Sequence, residues 1–225
     1  MNYNVRPSYA SFVGNTVKYL NALNQIDLTI TVPANMDLKP GQWVSVPFHG
    51  KNCLGLIVKR SSNTSVMKIL PINRVAKGPL ISSNHLKFYY AVAARWAVPI
   101  FDVLRFVTKF KSIDKETFAK RSEGKRIYYQ LPPDTSEIEA IKKFANDVAK
   151  KGTTLVIVPE ARLAAAITSD KYEVMMRGGS LAPNLYEHVI VVREESEHHY
   201  EIKSPGFNTR DVVLLRAEYL GENVL

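Results

Sequence analysis

The sequence holds a single cysteine, Cys53, in 225 residues. That excludes an internal disulfide and an all-cysteine zinc site, and a reducing, cytoplasmic setting is the simplest reading. No segment approaches the roughly 20 apolar residues that a membrane helix needs, and Met1-Asn2-Tyr3-Asn4-Val5-Arg6-Pro7 offers no apolar run suited to a signal peptide. A soluble protein without a membrane partner is expected. Internal repeats and low-complexity tracts are absent. Acidic residues are scarce in one part of the chain only. Residues 1–125 hold 6 Asp and Glu against 18 Lys and Arg, a net of +12, whereas residues 126–225 hold 15 against 12, a net of −3. A compact basic domain attracts polyanions through phosphate neutralisation and counterion release, so nucleic acid is the first candidate partner; a lysine-rich solvated surface is the alternative.

What is present divides in two. From Thr16 to about Ile72 the pattern is β. Ile26 to Val32 alternates apolar and polar residues and stops at Pro33. Lys39-Pro40-Gly41 is a turn signal, Trp43, Val46 and Phe48 fall in a strand ended by His49-Gly50-Lys51-Asn52, and strands at Leu54–Lys59 and Val66–Ile69 come next. Short strands at this spacing suggest a small barrel or a strongly bent sheet. Asn84–Ala97 reads as a helix capped by Ser83 or Asn84, with Leu86, Tyr89, Tyr90, Ala93 and Ala94 on one face, and a second helical run covers Ile100–Phe110.

Residues 111–125 are highly charged and suit a linker. Beyond it strands and helices alternate: strand Arg126–Leu131, helix Ser136–Lys150, strand Thr154–Val158, helix Ala161–Ile167, and strands Tyr172–Met176 and His188–Val192. That order implies a parallel sheet with helices on its faces. The fold class expected is α/β, with domains at 1–110 and 126–225.

Several groups invite a functional reading. Glu194, Glu195, Glu197, His198 and His199 could hold a metal, but neighbours on an extended strand end point in opposite directions, and a solvated acidic loop is expected. Cys53 is expected as a small buried hydrophobe, and Gly178-Gly179 as a turn rather than an anion cradle. Phe88, Tyr89, Tyr90 and Trp96 could stack bases, yet their helical spacing favours core packing. Lys87, Arg95, Arg105, Lys109 and Lys111 serve equally well as phosphate contacts or as a solvated face.

Two segments carry a resemblance. Gly41-Gln42-Trp43-Val44-Ser45-Val46-Pro47-Phe48, running into Leu54-Gly55-Leu56-Ile57-Val58, and Arg95-Trp96-Ala97-Val98-Pro99-Ile100-Phe101-Asp102-Val103-Leu104 resemble the N-terminal DNA-binding domain of the primosomal protein N′ (PriA) replication-restart helicase family. The second half resembles the first helicase lobe of the same family at Leu155–Glu160, Arg177–Pro183, Val189–Ser196, Tyr200 and Phe207–Val212. The resemblance implies a 3′-end pocket at Leu28 and Thr29, at His49 with Gly50, and at Lys68. Only the lysine is kept outright. The family's aromatic and carboxylate are replaced by Leu28 and Thr29, which argues against 3′-end selectivity and favours a protein-binding scaffold as the alternative.

The departures bear on chemistry. A P-loop needs glycines, a lysine and a Ser/Thr hydroxyl to hold phosphates and Mg²⁺. The corresponding turn, Gln130-Leu131-Pro132-Pro133-Asp134-Thr135-Ser136-Glu137, has neither glycine nor lysine, and the lysine position falls near Glu137. Arg193 stands where the family has its magnesium-binding aspartate, and Ser196 where it has a histidine. The resemblance thus implies a non-catalytic protein of replication restart or repair, associated with the nucleoid, that binds forked or single-stranded DNA. No catalytic residue, metal or cofactor is expected. Other primosome, single-strand-binding or helicase-loading proteins are candidate partners. A residual ATPase is a further alternative, opposed by the prolines and Glu137; a decayed gene product is opposed by the well-formed apolar patterning.

Overall fold

The computed structural model describes residues 16–21, 27–31, 37–48, 50–61, 71–110, 124–131 and 134–225, with residues 16–21, 27–31, 48 and 59–61 described by their backbone. The chain forms two compact units, one of residues 1–86 with 99–116 and the other of residues 87–98 with 117–225. The fold is mixed α/β, with one antiparallel and one parallel sheet.

In the first unit, β1 (Thr16–Asn21), β2 (Asp27–Thr31), β3 (Trp43–Phe48), β4 (Lys51–Ser61) and β5 (Arg74–Val75) form an antiparallel sheet in the order β2-β1-β4-β3-β5. Among the described residues no pairing joins β2 to β5. Trp43, Val44 and Val46 on β3 and Leu56 and Ile57 on β4 are fully buried, and the Trp43 Nε1–H donates to Pro79 O at 2.8 Å. An indole buried this deeply requires such a partner. Phe48 pairs with Lys51, so the ladder runs to within two residues of the hairpin tip, where Gly50 has φ 73°. The turn is tighter than the His49–Asn52 turn that the sequence suggests. The expected strand Val66–Ile69 lies outside the described residues.

Gly41 shows how closely this unit is packed. Its φ is +89°, its N–H donates to Ile57 O at 2.7 Å, its carbonyl accepts from Ile81 N at 3.0 Å, and a Cβ there would overlap the Ile81 carbonyl. Backbone, not a flexible side chain, blocks the space. Gly41→Ala is expected to destabilise the first unit by about 2–3 kcal/mol, from a strained φ and a displaced Ile81. A urea denaturation followed by Trp43 fluorescence in a Trp96→Phe background checks it.

Two helices come after this sheet in the chain. α1 spans Ser83–Arg95 and α2 spans Ile100–Val107. The cap of α1 is Ser82, one residue before the expected Ser83 or Asn84: its Oγ accepts from His85 N at 3.1 Å. Phe88, Tyr89, Val92 and Ala93 are buried, while Tyr90 and Ala94, expected on the apolar face, are exposed. From Lys87 onward α1 belongs to the second unit.

There β6 (Thr154–Val158), β7 (Glu173–Met176), β8 (His188–Val191) and β9 (Asn223–Val224) form a parallel sheet in the order β7-β6-β8-β9. β6 is buried along its whole length. Val156 and Val158 pack with Ile141, Ala145 and Val148 of α3 (Glu137–Ala149) and Leu163 and Ile167 of α4 (Ala161–Ile167), whereas Leu155 and Ile157 pack with Val213 and Ala217 of α5 (Thr209–Leu220). Alternate residues of one apolar run thus serve helices on opposite faces.

The strand expected at Arg126–Leu131 is not formed. Only Arg126 bridges, in parallel, to Val224. Its partner β9 is two residues long, so past the Ile127 N–H bond to Val224 O the chain has no ladder to join, and Ile127–Leu131 remain exposed.

Candidate nucleic-acid interface

Leu28 and Thr29 sit on β2 at the sheet edge, opposite Tyr19 and Lys18 of β1. Gly50 is exposed at the tip of the β3–β4 hairpin, where a Cβ would meet nothing within 4 Å. His49 and Lys68 lie outside the described residues. Lys51, next to Gly50, is exposed, and Asn52 accepts from Asn73 Nδ2 at 2.5 Å across to the segment before β5. Lys39, Arg74, Lys77, Arg105 and Lys109 are further exposed cations of the first unit; its described carboxylates are Asp37 and Asp102. Arg105 pairs with Asp102 at 3.4 Å, and Lys109 Nζ rests 4.1 Å above the Phe106 ring. Both cations are exposed, and such contacts are weak enough to be exchanged for a phosphate.

Lys87 and Arg95 belong to the second unit. Lys87 is exposed on α1, and Arg95 pairs with Asp211 of α5 at 3.2 Å. Residues 23–109 match the 3′ DNA-binding domain (3′BD) of PriA. The N-terminal part of the chain is PriA-like. The match leaves residues 110–225 outside it, and no curated protein matches the chain. The PriA-like segment includes Lys87–Val98, so its closing helix is the part that the second unit holds.

In the second unit two charged assemblies stand out. At the N-terminus of α3, Arg193 grips Glu137 with two N–H groups: Nε donates to Oε1 at 2.6 Å and Nη2 to Oε2, while Nη1 lies 3.5 Å from Glu160 Oε1. Arg193 itself sits at φ 51°, just beyond β8. The Arg193 hydrogen bonds hold the Glu137 carboxyl below its ordinary pKa, and the same bonds raise that of Arg193. Two residues singled out in the sequence, Glu137 and Arg193, therefore meet in one ion pair.

The other assembly is buried and escapes a reading of the sequence. Arg216 of α5 and Glu222 are both fully buried. Arg216 Nε and Nη2 donate to the two Glu222 oxygens at 2.5 and 2.7 Å, and the remaining N–H groups donate to the carbonyls of Ser180, Ala182 and Asn184 at 3.1, 2.7 and 2.7 Å. All five guanidinium donors are satisfied. Phe88 and Tyr186 flank the cation with ring centroids at 5.6 and 5.8 Å, and the Tyr89 hydroxyl donates to Leu181 O at 3.1 Å. This hub joins α5, the 180–184 segment and α1 within the second unit.

The segment expected as a solvated acidic loop is instead folded inward at its end. Ser196 caps a short 3₁₀ turn, Glu197–His199, and His199 is fully buried, its Nε2–H donating to Val192 O at 2.8 Å while Nδ1 has no partner. Among the described residues no three His, Cys, Asp or Glu side chains converge as a metal site. Cys53 is buried, and Gly179 lies in the 3₁₀ turn Arg177–Leu181, where a Cβ would overlap Met175.

Burial holds the His199 pKa below its ordinary value. The unfolded chain therefore binds the proton more readily than the folded one, and stability contributed by neutral His199 is complete above the unfolded pKa of about 6.5 and is lost as pH falls from there. Melting temperatures measured from pH 7.5 to 5 are expected to decline below about 6.5, with a shallower decline in His199→Gln. Glu137 and Glu201, whose pKa values are also lowered, act in a separate window below the ordinary carboxylate range.

Proposed function

We propose that the protein binds DNA in replication restart through its PriA-like N-terminal domain and performs no ATP hydrolysis or unwinding. The match of residues 23–109 to a 3′ DNA-binding domain carries the DNA-binding part. The net of +12 over residues 1–125 supports it, since phosphate neutralisation supplies most of the affinity of such domains. Leu28, Thr29, His49, Gly50 and Lys68 are the proposed end pocket, and Lys87, Arg95 and Arg105 the proposed phosphate contacts. The setting is the cytoplasm, on forked or single-stranded DNA, where other restart proteins are candidate partners. Among the described residues no helix is long and apolar enough to cross a membrane.

The reading of residues 126–225 as a degenerate first helicase lobe rests on the motif resemblance, and the non-catalytic assignment rests on the Glu137–Arg193 pair. Where a nucleotide-binding site would set a lysine toward phosphate and a carboxylate toward Mg²⁺, this chain carries a carboxylate and a guanidinium. The signs are exchanged and the two groups bind each other. Purified protein with ATP, Mg²⁺ and single-stranded DNA is expected to release no phosphate. Turnover that disappears in Glu137→Ala or Arg193→Ala would overturn the non-catalytic reading.

A further inference from the structure

The segment Lys125–Gln130 has features that neither the end pocket nor the ion pair uses. Tyr128 is 76% exposed, the most exposed aromatic ring among the described residues. A ring left in water contributes little to the fold, since apolar stabilisation comes from surface removed from water. Its backbone is nevertheless fixed. Ile127 N–H donates to Val224 O at 2.9 Å, Val224 N–H to Lys125 O at 2.7 Å, and Lys125 N–H to Asn223 Oδ1 at 3.1 Å. On the other side Tyr129 rests against Phe144 of α3 with ring centroids 4.6 Å apart. The Tyr128 ring is therefore presented from an anchored chain between two fixed points. Lys125 and Arg126 precede it, both exposed, Gln130 comes after it, also exposed, and residues 124–131 contain no Asp or Glu.

We propose that this segment is a contact for single-stranded DNA, in which Tyr128 stacks on a base and Lys125 and Arg126 neutralise the flanking phosphates. The inference rests on the DNA-binding reading and extends it to the second unit. The exposed Lys125, with Arg126 beside it and no Asp or Glu in residues 124–131, favours a polyanion over an apolar or acidic peptide. A single strand is favoured over duplex because only unpaired bases offer a free π-face, and stacking on an aromatic side chain tolerates any sequence. A preordered backbone lowers the entropy lost when the ring is immobilised by a base.

The test uses the full chain and a fluorescein-labelled oligothymidine of about 15 nucleotides whose 3′ end carries a phosphate, so that an end pocket does not contribute. Tyr128→Ala is expected to weaken binding at least about fivefold, Tyr128→Trp to retain it, and both to keep the wild-type melting temperature; duplex of the same length should lose less than about twofold. Wild-type affinity for the oligothymidine in Tyr128→Ala overturns the contact and leaves the DNA-binding reading standing. An equal loss on duplex overturns stacking in favour of a plain phosphate contact. Absence of binding to any DNA by the wild-type chain overturns both this contact and the DNA-binding reading.

Discussion

Arg216→Met is expected to lower the stability of the second unit by about 3–5 kcal/mol, the largest effect of any single substitution considered. The substitution keeps the apolar contacts with Phe88 and Tyr186 but leaves Glu222 as a buried charge without its counterion, and strips the carbonyls of Ser180, Ala182 and Asn184 of their donors. Each of these losses costs more than the hydrogen bond it removes, because a buried polar group without a partner forfeits its hydration as well. Burial alone would lower the Arg216 pKa; Glu222 outweighs it and keeps the pKa above its ordinary value, so the guanidinium stays charged. Adding Glu222→Gln to Arg216→Met should recover part of the loss, since the amide oxygen can still accept from Tyr186 N–H, now at 2.9 Å from Glu222 Oε1. Native-state hydrogen exchange at the β6 amides reads the unit directly. A change below about 1 kcal/mol would mean that the hub does not hold the unit together.

That hub also shows what a sequence conceals. The run Thr154–Val158 is legible because every residue is apolar or β-branched and is bounded by polar turns, and the structure buries all five. α3 is legible for a similar reason: Ile141, Ala145 and Val148 recur at helical spacing. α5 is not, because its core-facing set Val212, Val213, Arg216, Ala217 and Leu220 contains a charge, which breaks the apolar stripe at the residue that matters most. Its ends do carry signals, Asn208 accepting from Arg210 N–H and Gly221 at φ 71°, and these could have found it. Ile127–Leu131 err in the other direction. Their β-branched and aromatic residues satisfy the propensity for a strand, but a strand exists only where a partner runs alongside, and β9 stops after two residues.

The candidate sites divide in the same way. Glu137 and Arg193 are visible one by one as departures from the helicase pattern; that they grip each other across 56 residues of sequence is a matter of tertiary structure. Exchange of sign at two positions that a nucleotide site holds close together was the available signal. Gly50 was legible as a hairpin glycine, whereas the sequence offers no hint that Lys87 and Arg95 lie in a different unit from Arg105.

The second large effect concerns salt. If four to six cations of the basic part meet phosphates, counterion release gives log affinity a slope of about −3 to −4 against log salt, and affinity for single-stranded DNA should fall about 100-fold between 50 and 200 mM NaCl. Lys39, Lys51, Arg74, Lys77 and Lys109 are exposed and in the first unit, so replacing two of them with glutamine should reduce the slope by about 1.4, whichever sequence is bound. A protein-binding scaffold would show no such dependence on DNA. Selectivity for a free 3′ end should be modest, about 1 kcal/mol or fivefold, because Leu28 and Thr29 supply neither the aromatic ring nor the carboxylate of the PriA pocket.

Fluorescence anisotropy of the full chain on a labelled fork, with its 3′ end free or blocked by a phosphate and at 50 and 200 mM NaCl, measures these quantities together. Binding at low salt that weakens about 100-fold at the higher salt, with a free end preferred about fivefold, is the predicted result. No binding at 50 mM NaCl to either fork would contradict the assignment of this chain as a DNA-binding protein.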